Sequence, residues 1–124
     1  HLAFSKVKEI FASIGSRVLL VSDAMAAAGN GDGKYTIGAL PVEVNNGVAR
    51  LASNQKLAGS TLTISQAFVN LINHCGISLP QAVHATSVQP AKALGLNDRG
   101  SIAVGMRADL LSYNSATESV TVIS

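Results

Sequence analysis

Along this chain the apolar positions fall into short runs of two periods, with glycine at many of the boundaries. Phe4, Val7, Ile10 and Phe11 recur at the spacing of one helix face, which predicts a helix over residues 4–13 that Gly15 ends. Val18-Leu19-Leu20-Val21 is a continuous apolar run containing two β-branched residues, the pattern of a strand buried on both faces in a parallel sheet. The run stops at Ser22-Asp23, and the small residues of Ala24-Met25-Ala26-Ala27-Ala28-Gly29 follow. Helix, glycine stop and buried strand make the second half of a βαβ unit, whose parallel neighbours the chain does not obviously supply.

Further along, Leu40–Val44 and Val48–Leu51 alternate on either side of Asn46-Gly47, a strong turn pair, and predict a β-hairpin. Ile64, Ala67, Phe68, Leu71 and Ile72 make one apolar stripe of a helix reaching about Asn73, with Thr63 and Gln66 at capping-box spacing. Ser78 and Gln81 repeat that spacing and, with Pro80 in the first turn, open a helix through about Thr86. Pro90–Leu94 reads as a separate, short last helix stopped by Gly95. In the tail, a turn at Gly105 precedes one strand and Val120–Ile123 forms another. Strands after a run of helices suggest a second, β-rich domain, represented here in part.

Composition changes this picture in one respect. The 124 residues suffice for one ordinary domain, but a whole (β/α)8 barrel needs about 250. With 48% hydrophobic and 13% charged residues, and a mean hydropathy of +0.34, the chain lacks the polar skin of a small domain living alone. It has either large partner surfaces or a larger parent, and its start at His1 rather than Met is what a truncated start would give. A net charge of +2, without a basic cluster or interleaved aromatics, argues against nucleic acid. No apolar run approaches the ~20 residues of a membrane helix, and no signal-peptide layout opens the chain. The single Cys75 excludes an internal disulfide and fits a reducing cytosol.

Candidate chemistry is sparse. Asp23, after a buried run, sits where α/β barrels keep their reactive groups, although an Asp ending a strand commonly serves as a turn former or cap. Gly29–Lys34 invites a phosphate-loop reading, but three residues rather than four separate Gly29 from Gly33, and Tyr35 stands where Ser or Thr is required. That stretch is expected to be a mobile loop. Gly59-Ser60 reads either as a helix entry turn or as backbone amides offered to a polar ligand near a helix N-terminus. His74, Cys75 and His84 have no metal-ligand spacing, and the histidines are expected to be ordinary surface or capping residues.

Several blocks taken together resemble the C-terminal part of N-acetylglucosamine-6-phosphate deacetylases, members of the amidohydrolase superfamily. They are Val21–Gly29, Asp32–Gly38, Gly47–Ala52, Leu57–Thr63, Ala85-Thr86-Ser87 with Pro90–Leu96, and Asp98–Gly105 with Ala108-Asp109-Leu110. They occur in order and cover most of the chain. The resemblance implies an α/β fold, namely the end of a metal-dependent (β/α)8 TIM barrel over residues 1–96 and part of a small β-sandwich over 97–124. Val18–Ser22 would be the eighth barrel strand. It implies a hydrolase that removes acetate from N-acetylglucosamine 6-phosphate, leaving glucosamine 6-phosphate. Asp23 matches the family's proton-transferring carboxylate. His1, by its position 22 residues before Asp23, matches a substrate-contacting histidine, and Leu57, Ala58, Gly59 and Ser60 match a segment lying against the sugar.

The same resemblance implies a divalent metal cofactor, zinc foremost with iron or another metal as the alternative, whose Glu and His ligands lie on strands absent from this chain, as do the phosphate-holding groups. It implies a cytoplasmic enzyme, homodimeric like many relatives. The 124-residue piece alone is therefore expected to be inactive. Two other readings stay open: a fragment of another amidohydrolase, dihydroorotase-like or deaminase-like, and a non-catalytic interaction module in which Asp23 is only a cap.

Overall fold

The computed structural model describes residues 2–123, so the expectation for His1 lies outside the described residues. They form a mixed α/β structure in two compact units, one comprising the residues up to Val21 with those from Ser65 onward, the other Ser22–Ile64. Among the described residues no helix is long and apolar enough to cross a membrane.

In the first unit α1 spans Phe4–Ile14 and ends as its sequence predicts, at Gly15, whose φ of 42° lets the chain turn away. Of its apolar stripe, Phe11 is fully buried and Val7 packs beside it, whereas Phe4 lies at the surface, its ring stacked on His74 at 4.8 Å. Helix α2, Ile64–Asn73, buries Ala67, Phe68, Val69 and Leu71. Burial of Val69 beside the expected stripe shows a helix covered on more than one face. Phe11, Phe68, Val69, Leu71, Cys75 and Ile77 form one core with the alanines at 82 and 85. Burial also pushes the Cys75 thiol up, away from the reactive thiolate.

The expected eighth strand is not a strand here. Val18 and Leu20 are half-buried against this core, while Leu19 and Val21 are exposed, so the run alternates instead of burying both faces. Its Val18 N–H donates to the Gly15 carbonyl at 3.1 Å and its Leu20 N–H to the Ala85 carbonyl at 2.9 Å. A strand is defined by its ladder, and no strand among the described residues pairs with this run.

The two predicted helices after Ser78 are one continuous helical run. Helix α3, Leu79–Val83, passes through a π-helical segment, His84–Val88, into α4, Gln89–Ala93. The Gln81 side chain accepts the Ser78 N–H at 3.2 Å and the Ser78 hydroxyl at 2.8 Å, as the capping spacing anticipates. Pro90 has no N–H to return to the preceding turn, and its ring would crowd the carbonyl four residues back. The widened turn accommodates it: the Gln89 N–H donates five residues back, to the His84 carbonyl, and the Thr86 hydroxyl donates to the Ala82 carbonyl at 2.8 Å. The tail forms an antiparallel hairpin of β4, Leu111–Asn114, and β5, Ser119–Val122. Tyr113 packs edge-on against Phe68 at 5.2 Å, attaching that hairpin to the α2 core.

The second unit is an antiparallel sheet of three strands, β1 Gly33–Ile37, β2 Leu40–Asn45 and β3 Val48–Leu51, in sequential order. The predicted hairpin is β2–β3, with Asn46 and Gly47 at φ of 50° and 71° in the turn, the combination a type I′ turn demands. Val42 and Val44 of β2 pack with Ala27, Ala49 and Ala58 in a small core.

Strand β1 corrects the mobile-loop expectation for Gly29–Lys34. Turns occupy residues up to Asn30, but Gly33 and Lys34 already pair with Val44 and Glu43. Asp32 supplies the reason. Its carboxylate accepts the Asn46 N–H at 2.6 Å and the Gly47 N–H at 2.9 Å, fastening the start of β1 to the hairpin turn.

Candidate functional site

Asp23 lies near the start of the second unit, and its backbone is held firmly although its side chain is exposed. At φ 49° it occupies the left-handed region, which Asp enters more readily than most residues because its short polar chain can bond locally. Its carbonyl accepts the Ser60 N–H at 2.7 Å, and the Ser60 carbonyl accepts the Met25 N–H at 2.9 Å. These two bonds make the isolated parallel bridge between Ala24 and Ser60. On the other side, the Ser22 hydroxyl accepts the Ala24 N–H at 3.3 Å.

The carboxylate itself takes no part in this lock. A capping aspartate would accept a neighbouring backbone N–H; Asp32 does so, whereas Asp23 accepts none among the described residues. Asp23 instead lines an open depression of about 330 Å³, together with Gly59, Ala24–Ala26, and Thr36 and Ile37 of β1. The lining thus combines small residues, a threonine and an aspartate, the residue types that suit a polar ligand and a proton transfer.

Of the residues singled out from sequence, the structure brings Asp23 and Gly59 together in this depression. Ser60 is adjacent through its backbone, and its hydroxyl is occupied in accepting the Leu62 N–H at 2.9 Å. Ala58 turns its side chain into the small core, so a ligand could meet only its backbone, and Leu57 is exposed where the chain bridges Arg50. Thr36 and Ile37 are not singled out as site residues by the sequence, because the glycines before them hide the strand that carries them. Among the described residues no group of three or more His, Cys, Asp or Glu side chains could hold a metal ion. His74 is exposed and engaged with Phe4, and His84 belongs to the π-helical segment.

Comparison with known proteins places this arrangement among relatives. A family model described as the amidohydrolase family matches residues 60–122. The chain is 40% identical over 100 residues to an N-acetylgalactosamine-6-phosphate deacetylase of Escherichia coli, covering 80% of this chain and 26% of that protein. It is 38% identical over 102 residues to an N-acetylglucosamine-6-phosphate deacetylase of Vibrio furnissii, covering 82% and 25% respectively. Among solved structures, a mutant N-acetyl-D-glucosamine-6-phosphate deacetylase of Mycobacterium smegmatis, in complex with N-acetyl-D-glucosamine-6-phosphate, superposes with a TM-score of 0.90 at 39% identity. That match covers 99% of this chain and 33% of the other. This chain thus spans about a quarter of the two relatives' length and a third of the solved one. On the model match over half its residues and on these likenesses, the chain belongs to the amidohydrolase family.

Proposed function

We propose that this chain is the C-terminal part of an N-acetylglucosamine-6-phosphate deacetylase, in which Asp23 is the proton-transferring carboxylate. The observation that carries the reading is the likeness, over 99% of the chain at 39% identity, to a deacetylase solved with N-acetyl-D-glucosamine-6-phosphate. In the whole enzyme residues 1–96 would complete a (β/α)8 barrel and 97–124 a β-sandwich, with the exposed Leu19 and Val21 covered by neighbouring strands.

The reaction splits an amide. Water adds to the acetyl carbonyl carbon, the C–N bond breaks, and acetate and glucosamine 6-phosphate leave. Asp23 takes a proton from the attacking water and returns one to the departing amine, which otherwise would leave as a poor anion. The residues beside it, Gly59 and the 24–26 loop, form pocket wall, with Leu57, Ala58 and Ser60 completing the segment against the sugar and His1 a further substrate contact. The divalent metal on which amidohydrolases depend needs ligands, and among the described residues no group of three or more His, Cys, Asp or Glu side chains could supply a full set. This reading puts those ligands, and the groups holding the phosphate, outside them, in a cytoplasmic homodimer.

A second substrate is favoured by the 40% identity to the E. coli galactosamine enzyme. The two acetamido sugars differ only in the configuration at C4. Acetate release from both 6-phosphates by the enzyme carrying this chain tests the reading: turnover of the glucosamine compound supports it, preference for the galactosamine compound transfers it to the epimer, and hydrolysis of neither overturns it.

A further inference from the structure

Around Asp23 one residue is constrained for reasons unconnected with touching a ligand. Gly59 has a φ of 67°, in the left-handed region that an ordinary side chain enters only with strain. The space where its Cβ would stand is also taken. A Cβ built there meets the Met25 Cβ at 3.2 Å, the Asp23 carbonyl oxygen at 3.3 Å and the Met25 Cγ at 3.4 Å. Carbon atoms in ordinary contact stand about 3.5–4.0 Å apart. Two of these three atoms belong to backbone or to a Cβ, which no rotamer change can withdraw.

The closeness has a purpose visible in the hydrogen bonds. Only with residue 59 this near can the next residue, Ser60, reach the Asp23 carbonyl at 2.7 Å and receive the Met25 N–H at 2.9 Å. Those bonds bracket the left-handed backbone of Asp23 and fix the direction in which its Cα–Cβ bond leaves the chain. Among the described residues the carboxylate has no partner of its own, so there the backbone sets its direction.

We propose that Gly59 is a positioning residue for Asp23: its missing Cβ lets the Ala58–Ser60 segment close on residues 23–25 and lock the aspartate backbone that aims the carboxylate. This rests on Asp23 being the proton-transfer group. In Gly59→Ala the added carbon pushes the two segments apart by a few tenths of an ångström, lengthening the Ser60–Asp23 bond and loosening the aim. Misplacement of a catalytic group by about 1 Å can cost about a hundredfold, so a smaller displacement with added mobility is expected to lower kcat by about tenfold or more. KM is read beside it because Gly59 is also pocket wall: a fall in kcat larger than any rise in KM is the expected signature of a lost aim.

A double-mutant cycle in the full-length enzyme tests it, with kcat and KM for acetate release measured for Gly59→Ala, Asp23→Asn and the pair. If Gly59 acts through Asp23, adding Gly59→Ala to Asp23→Asn lowers the residual rate by less than about twofold. Losses that multiply, or full kcat in Gly59→Ala, overturn the proposal and leave the catalytic role of Asp23 standing. Full turnover in Asp23→Asn overturns that role instead. Amide exchange of the unmutated enzyme needs no variant to fold: the proposal expects the Ser60 N–H protected, and exchange at the rate of a free loop amide overturns it.

Discussion

The Asp32 carboxylate accepts two amide protons, from Asn46 at 2.6 Å and Gly47 at 2.9 Å, while the Asp23 carboxylate accepts none among the described residues. The same side chain thus does structural work in one place and stays available in the other. Replacing Asp32 by Ala strands two turn amides, though near enough to solvent for water to take over. The expected loss is about 1 kcal/mol, read as faster exchange of the Asn46 and Gly47 amides. Unchanged exchange would show that the turn holds itself through its own backbone. Asp23 was visible in the sequence as a position, at the end of an apolar run. Its left-handed φ and its lock to Ser60 were not, because they depend on a residue 37 places further on.

Among the elements, legibility followed how local the determining physics is. The β2–β3 hairpin could be read because Asn46-Gly47 needs only its own backbone preferences to turn. Strand β1 could not, since its pairing begins at Gly33 and is fastened by Asp32 reaching across to residues 46 and 47. The helices were found by period, but the join between α3 and α4 was not. Pro90 reads as a helix start, and a widened turn that carries the helix past it leaves no mark in spacing.

Gly100, in the 98–109 segment, lies against that π-helical join. A Cβ on Gly100, at φ 95°, would stand 3.1 Å from the Ala91 Cβ and 3.3 Å from the Ser87 carbonyl oxygen. Gly100→Ala is therefore expected to destabilise the fold by about 1–3 kcal/mol, measured as a lowered urea midpoint with unchanged slope. A midpoint equal to the parent's would mean that the segment can lift off freely. The same segment carries two exposed ion pairs, Arg99–Asp98 at 2.9 Å and Arg107–Asp109 at 2.6 Å. Hydrogen bonds from the arginines hold both carboxyls below their ordinary value of 3.8. Groups depressed on folding contribute stability above 3.8 that is lost as pH falls through their lower folded values. Acid titration of stability is expected to show a small, salt-screened loss in that window, absent when both aspartates are changed to Asn.

At the scale of the whole molecule, the sequence announced a chain short of polar cover, and the structure shows where. Leu19, Val21, Leu94, Ile102 and Val104 stand in solvent, Val21 70% and Ile102 89% exposed, while the first unit's core is made chiefly from α1, α2 and the π-helical run. The parallel sheet inferred from the apolar run at 18–21 was illegible in any stronger sense. A strand is a relation between segments, and the described residues hold no second parallel segment to pair with it. What this chain does hold is an aspartate with a left-handed backbone, Asp23, lining an open depression.

The most direct test is the rate of acetate release from N-acetylglucosamine 6-phosphate by the full-length enzyme with Asp23 changed to Asn, its folding verified by an unaltered unfolding midpoint. Loss of the proton carrier is expected to lower kcat by about 10²–10⁴-fold while the sugar phosphate still binds. Turnover within about twofold of the parent's would contradict the account, since general acid–base catalysis at this position would then contribute nothing.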